Sequence, residues 1–205
     1  MPSSDPKSRY LVAGLGNPGK RYAKTRHNLG FYVLDHYLAQ QGLAWKKGRG
    51  AFWTQFSGVF FVKPQSYMNL SGGVVYQFLR FYKIALAHFL VVADDTALPF
   101  GRLRLRESGS SGGHNGLGNI EKVLGTRHYA RLRVGVGTPQ EDSDMVEHVL
   151  GRFTQKEAEM LPQIASEASQ AIELWLQEGA NAMNVVNVHP KQKENMDEKN
   201  EEKPL

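Results

Sequence analysis

The sequence predicts an α/β fold, a single-domain three-layer α/β/α sandwich built on a twisted, mostly parallel mixed sheet. Three observations carry this expectation. Short apolar runs of strand length alternate with stretches of helical period for most of the chain, an order that places helices on both faces of a sheet. The length of 205 residues with 41% hydrophobic content suffices for one good core. Asparagine, aspartate and glycine gather where apolar runs end, at Gly16-Asn17 and at Asp94-Asp95, and in an open α/β sheet such carboxyl ends line one crevice.

The run Tyr10–Phe31 opens with a short apolar strand and turns through Gly14-Leu15-Gly16-Asn17-Pro18-Gly19. It carries Lys20, Arg21, Lys24 and Arg26 and delivers His27-Asn28 before a helical pattern. Gly14, Gly16 and Gly19 satisfy the G-x-G-x-x-G spacing of a dinucleotide site, but that site needs a helix to start at the third glycine so that its free N–H groups meet the pyrophosphate. Residues 20–28 are charged and lack a 3.6-residue apolar period, and Asp35, the acid at the right distance, falls inside the next helix. A nucleotide-dependent oxidoreductase is therefore disfavoured.

That helix begins near Leu29, with Phe31, Leu34 and Leu38 on one face, and Gly42 closes it. Phe52–Val62 is apolar and aromatic around Ser57-Gly58, which predicts a hairpin. Ser71 is expected to cap a helix whose apolar face is Val75, Phe78, Leu79 and Tyr82. A buried-type strand, Phe89–Ala93, runs into Asp94-Asp95. The alternation from Arg102 to Arg106 predicts an edge strand with three guanidiniums on one face and two leucines on the other. A glycine-rich loop, Ser108–Gly118, leads to a short helix around Ile120–Leu124. Arg131 and Arg133 then alternate with Leu132 and Val134. Thr154 and Glu157 form a capping box for a long helix aligning Leu161, Ala165, Ala168, Ile172 and Trp175, with Pro162 expected to kink or restart it.

Zero cysteines exclude disulfides and thiolate metal sites. The N-terminus has no apolar signal region, and no run approaches about 18 apolar residues, so neither secretion nor membrane insertion is expected. Net charge is +5, and the tail from His189 onward holds four lysines against five acids, so the basic excess belongs to the preceding body. Such an excess suits a polyanionic partner such as nucleic acid. The expected organisation is a flexible N-terminus at residues 1–8, a catalytic domain at 9–188 and a disordered charged tail at 189–205.

His27, Asp94 and the amides Asn17, Asn69 and Asn115 together suit general-base hydrolysis. A neutral histidine can take a proton from water near neutral pH, and a carboxylate on its other ring nitrogen fixes the tautomer and stabilises the cation formed. Amide N–H groups can hold an oxyanion. No cysteine or G-x-S-x-G elbow offers a nucleophile, and the histidines lack zinc-site spacing. The blander readings are turn chemistry for Asn119, a turn cap for Asp94, and surface or capping roles for His36, His88, His128, His148 and His189.

In order along the chain stand V-x-G-L-G-N-P-G at 12–19, Y-x-x-T-R-H-N at 22–28, K-P-x-x-Y-M-N-L-S-G at 63–72, an acid before Leu98-Pro99, G-G-H-N-G-L at 112–117 and R-L-R-V-G-V-G at 131–137. With these motifs the sequence closely resembles the bacterial-type peptidyl-tRNA hydrolase family over residues 10–188. The resemblance implies a monomeric cytoplasmic esterase, without metal or cofactor, that cuts the ester between a peptidyl group and the 3′ ribose of tRNA and so recycles tRNA. It implies His27 as base, Asp94 as the acid that orients it, and Asn115 as the group that fixes water or the oxyanion. Asn17, Asn69, Tyr22, Tyr67 and Met68 would line the peptide-ester site, with His114 on the tRNA acceptor side. Arg104, Arg106 and Arg133 fall where the family keeps phosphate-contacting cations. The family usually has a histidine before the acid and a second aspartate after it, where this chain has Ala93 and Ala97. Counting back from Leu98-Pro99 places Asp94 in the acid's position, with Asp95 as its rival. A non-catalytic RNA-binding relative is the alternative reading.

Overall fold

The sheet is organised around β1, Tyr10–Gly14, whose five residues are buried on both faces. In the computed structural model, which describes residues 9–139 and 144–188, β1 lies mid-sheet in the order β2-β3-β4-β1-β5-β7-β6. Those strands are β2 (Lys46–Gly48), β3 (Ala51–Phe56), β4 (Val59–Pro64), β5 (Phe89–Asp95), β6 (Leu103–Ser108) and β7 (His128–Gly135). The central strands β4, β1, β5 and β7 are parallel, while β2, β3 and β6 add antiparallel edges. The expected N-terminal segment 1–8 and tail 189–205 lie outside the described residues.

Side-chain alternation sends the central strands into two cores. Leu11, Ala13, Phe60, Val62 and Val91 pack beneath α2 (Ser71–Phe81) and α3 (Asn115–Leu124). Val12, Phe61, Leu90 and Leu132 face α1 (Leu29–Gln40) and α5 (Gln155–Glu178). This is the three-layer sandwich that the alternating elements predict, and apolar burial of this kind, at about 25 cal/mol per Å2, is its main driving force. α1 rides unusually low over β1 and β5. A Cβ on Gly30 would lie 2.4 Å from the Val92 carbonyl oxygen, and one on Gly14 would lie 2.4 Å from that of Gly30. The approach sets the residues just before α1 directly above the end of β5.

The hairpin turns at Ser57-Gly58, where φ is +48° and +81°, as a two-residue turn matching strand twist requires. β2 was not foreseen, because its three residues, two exposed lysines and a half-buried glycine, carry no apolar alternation. Three local expectations are corrected. Ser71 is the first residue of α2 and not its cap; its hydroxyl has no partner, and the Gly72 N–H is met instead by Asn119 Oδ1 at 2.8 Å. α3 starts at Asn115, well before Ile120, because His114 caps it. α5 runs unbroken through Pro162, which lies on its exposed side with Ala158, so the carbonyl deprived of a donor can meet water. Its capping box at Thr154 and Glu157 forms as expected.

At the far edge, Arg104 pairs in register with Arg133 and Arg106 with Arg131, so all four side chains share the α3 face of the sheet. Arg102 departs from the predicted alternation. It precedes the strand and donates to the carbonyls of Asn187 (2.6 Å) and Val188 (2.9 Å). The Asn187 side chain in turn accepts from Leu105 N–H and donates to Leu105 C=O, closing part of the open edge after the short helix α6 (Met183–Val186).

Candidate active site

Three segments meet at the carboxyl ends of β1 and β5. The first is the turn after β1, where the Asn28 side chain clamps Asn17 at both backbone groups (2.8 and 2.9 Å). Just before Asn28 in the chain, Arg26 is buried and tied to the body: its guanidinium pairs with Glu157 (2.8 Å), the capping-box residue of α5, and donates to the Arg152 carbonyl (3.0 Å). Arg26 is therefore a structural cation, unlike the exposed Lys20, Arg21 and Lys24 beside it. Between them His27, 6% exposed, is held in a short 3₁₀ turn above Asp94, 2% exposed.

His27 Nδ1 lies 3.0 Å from both carboxylate oxygens of Asp94, and His114 Nε2 lies 3.1 Å from Oδ1. Burial would push the Asp94 carboxyl up, but the electrostatic attraction and hydrogen bonds of the His114 and His27 rings beside it outweigh it and hold Asp94 below the usual carboxylate range. An ionised carboxylate only accepts, so both facing nitrogens carry hydrogen. The neutral form of His27 is then the Nδ1–H tautomer, whose Nε2 has a lone pair and no protein partner among the described residues. His114 is the opposite tautomer, consistent with its second role: Nδ1 accepts the Gly116 and Leu117 N–H groups (3.1 and 3.3 Å) as the N-cap of α3. One carboxylate thus orients two histidines whose rings are 4.8 Å apart, and only His27 presents a free base.

The remaining expected residues surround this group without all touching it. Asn17 Oδ1 accepts the Met68 N–H at 2.8 Å, which fixes the amide and leaves its NH2 as an unused donor among the described residues. Met68 is buried against Gly116, while Tyr67 meets Tyr22 edge to face at 6.4 Å. Asn69 and Asn115 are exposed at the starts of α2 and α3, whose N-terminal ends bring partial positive charge to this side. Neither hydrogen-bonds to His27, Asp94 or His114. Arg104 and Arg106 are exposed and form no ion pair among the described residues. Arg133 is differently placed: it pairs with Asp95 (2.9 Å) and donates to the Ser110 carbonyl (2.5 Å) of the glycine-rich loop. Asp95 also accepts from Ala97 N–H (2.9 Å), so both of its oxygens are engaged away from His27.

Sequence reasoning missed the Asp94–His114 bond and the roles of Arg26 and Asn119. The signal for His114 was present in part, since a histidine preceding Asn-Gly-Leu can cap a helix. Nothing local told that its other nitrogen would reach an acid 20 residues earlier. The other histidines take quieter places: His88 stacks on Tyr10, and His148 of α4 (Met145–Leu150) lies 3.0 Å from the Gly137 carbonyl.

A sequence model of the family described as Peptidyl-tRNA hydrolase matches residues 11–196. A peptidyl-tRNA hydrolase of Desulfitobacterium hafniense is 45% identical over 182 residues, covering 86% of this chain and 98% of its own. One of Synechococcus is 46% identical over 190 residues, covering 89% and 85%. The crystal structure of peptidyl-tRNA hydrolase from Acinetobacter baumannii superposes with a TM-score of 0.81 at 32% identity, over 91% of this chain and 98% of that one. A His–Asp–His group at the strand ends, amide-bearing loops around it and this likeness over nearly the whole chain agree: the protein belongs to the peptidyl-tRNA hydrolase family.

Proposed function

We propose that the protein hydrolyses the ester of peptidyl-tRNA by His27-assisted attack of water, and the observation that carries this reading is the free Nε2 of a histidine oriented by Asp94. Nε2 takes a proton from water as the oxygen bonds to the ester carbonyl carbon. Asp94 stabilises the imidazolium that results. The oxyanion of the tetrahedral intermediate is met by the amide of Asn115, with Asn17 and Asn69 donating to the peptide side. His27 then returns its proton to the 3′ oxygen as the C–O bond breaks, giving a peptide carboxylate and tRNA with a free ribose hydroxyl. Tyr22, Tyr67 and Met68 flank the peptide, and Arg104 and Arg106, with whatever reach Arg133 retains beyond Asp95, meet tRNA phosphates.

The same reading makes the enzyme a metal-independent monomer of the cytoplasm, and the contacts of His114 support the first part of it. His27, Asp94 and His114 could geometrically gather a cation, since their ligand atoms lie within 4.8 Å of one another. For His114 Nε2 to ligate, however, its hydrogen would have to move to Nδ1 and displace both backbone N–H donors that cap α3. No helix among the described residues is long and apolar enough to cross a membrane.

The test is release of tRNA from N-acetyl-aminoacyl-tRNA, beside the unacetylated form, with chelator present and with His27→Ala in parallel. Cleavage of the blocked substrate alone, lost in the variant and indifferent to chelator, is the expected result. Tight tRNA binding without cleavage would move the reading to a non-catalytic RNA-binding protein.

A further inference from the structure

Asn69 sits in a stretch of chain held at both ends by side-chain amides from elsewhere. On one side the Met68 N–H donates to Asn17 Oδ1; on the other the Gly72 N–H donates to Asn119 Oδ1, both at 2.8 Å. The second contact joins two helices. α2 has no cap of its own, since Leu70 has no capping side chain and the Ser71 hydroxyl is buried without a partner. Asn119, on the second turn of α3, supplies the missing acceptor. The helices meet here almost backbone to backbone: a Cβ on Gly72 would lie 2.7 Å from the Asn119 carbonyl oxygen, and one on Gly116 2.5 Å from Met68 Sδ.

We infer that Asn119 is a positioning residue for catalysis, which fixes Asn69 at the start of α2 relative to Asn115 at the start of α3. This rests on the reading of Asn69 and Asn115 as substrate-facing amides. Both project from helix N-termini on the same side of the sheet, and the Asn119 bond is a direct polar tie between those two ends. Without it α2 can slide along α3 or fray by a residue, moving Asn69 by the roughly 1 Å that preorganised sites do not tolerate. Asn119 reaches the reaction only through Asn69, so its loss should matter only while Asn69 is present.

That dependence is measured by a double-mutant cycle. Single-turnover rates on N-acetyl-aminoacyl-tRNA are compared for the wild type, Asn119→Ala, Asn69→Ala and the double variant, with Asn119→Asp as the conservative control. Asn119→Ala is expected to slow the wild type about tenfold and the Asn69→Ala background less than twofold. Asn119→Asp keeps an oxygen acceptor facing the α2 N-terminus and should stay within about threefold of wild type. Equal losses in both backgrounds, or failure of Asp to rescue, would reduce Asn119 to a general packing role and overturn the inference. If Asn69→Ala alone costs nothing, the site reading itself falls and takes the inference with it. The two failures are thus distinct.

Discussion

Asp94→Asn is the perturbation whose size follows most directly from the geometry. The wild-type carboxylate accepts from N–H groups of two histidines at 3.0–3.1 Å. An amide offers one oxygen and one NH2 in the same place, so it can serve one ring and must oppose the other. If the NH2 faces His27, that ring must present a bare Nδ1 and carry its hydrogen on Nε2, where it cannot act as a base. Even in the right tautomer the imidazolium loses its counter-charge. With charge centres about 4 Å apart and an effective dielectric of about 20, that attraction is about 4 kcal/mol, roughly a thousandfold in rate. Asp95→Asn keeps an oxygen for Ala97 N–H and loses only the Arg133 pair, so it should cost less than about tenfold. Single-turnover cleavage of saturating N-acetyl-aminoacyl-tRNA reads the chemical step apart from binding. Equal losses for the two variants, or Asp94→Asn retaining more than a tenth of wild-type rate, would refute the assignment of Asp94 as the orienting acid.

Three further outcomes are expected. Because Asp94 is held below the ordinary carboxylate range, its folded form binds protons less readily than the unfolded chain; its contribution is complete above about pH 4 and is lost as pH falls below that. Denaturation midpoints between pH 2.5 and 7 should therefore show a shallower acid decline for Asp94→Asn than for wild type, and identical slopes would contradict the cause given. A chain ending at Val188 should melt like the full protein, whereas one ending at Val186 loses the Asn187 and Arg102 bonds at the β6 edge. Four hydrogen bonds at about 0.5–1.5 kcal/mol each put that loss at roughly 2–6 kcal/mol, readable by thermal unfolding. In tRNA binding, Arg104→Ala and Arg106→Ala should each lower the slope of log affinity against log salt by about one. Arg133→Ala should lower it less and destabilise more, because its guanidinium already holds Asp95 and Ser110; a full unit of slope from Arg133 would show that it meets phosphate after all.

Much of this molecule was legible in one dimension. Strand and helix periods predicted the layered sheet, and many of the residues that line its two cores, such as Leu34, Phe78 and Trp175, are ones the 3.6 period picked out. His27 and Asp94 were legible because each ends a local pattern, a turn before a helix and an apolar strand. Short-range chemistry also predicted the Ser57-Gly58 hairpin and the Thr154–Glu157 box, where every partner lies within a few residues.

Tertiary structure decided the rest wherever a polar group had two possible partners. Ser71 looked like a cap by position, yet α3 approaches so closely that Asn119 takes the Gly72 N–H. Arg26 looked like one more cation in a basic stretch, until the α5 capping box brought Glu157 to it across 131 residues. Pro162 looked like a break, but its helix face is the solvated one. Above all, His114 joins Asp94 only because the glycine-rich loop, clamped by Arg131 and Arg133 at the Ser110 carbonyl, folds back over β5. Local sequence fixes which groups seek hydrogen bonds; which partner each one finds depends on distances between distant segments, and only the packed sheet and helices set those distances.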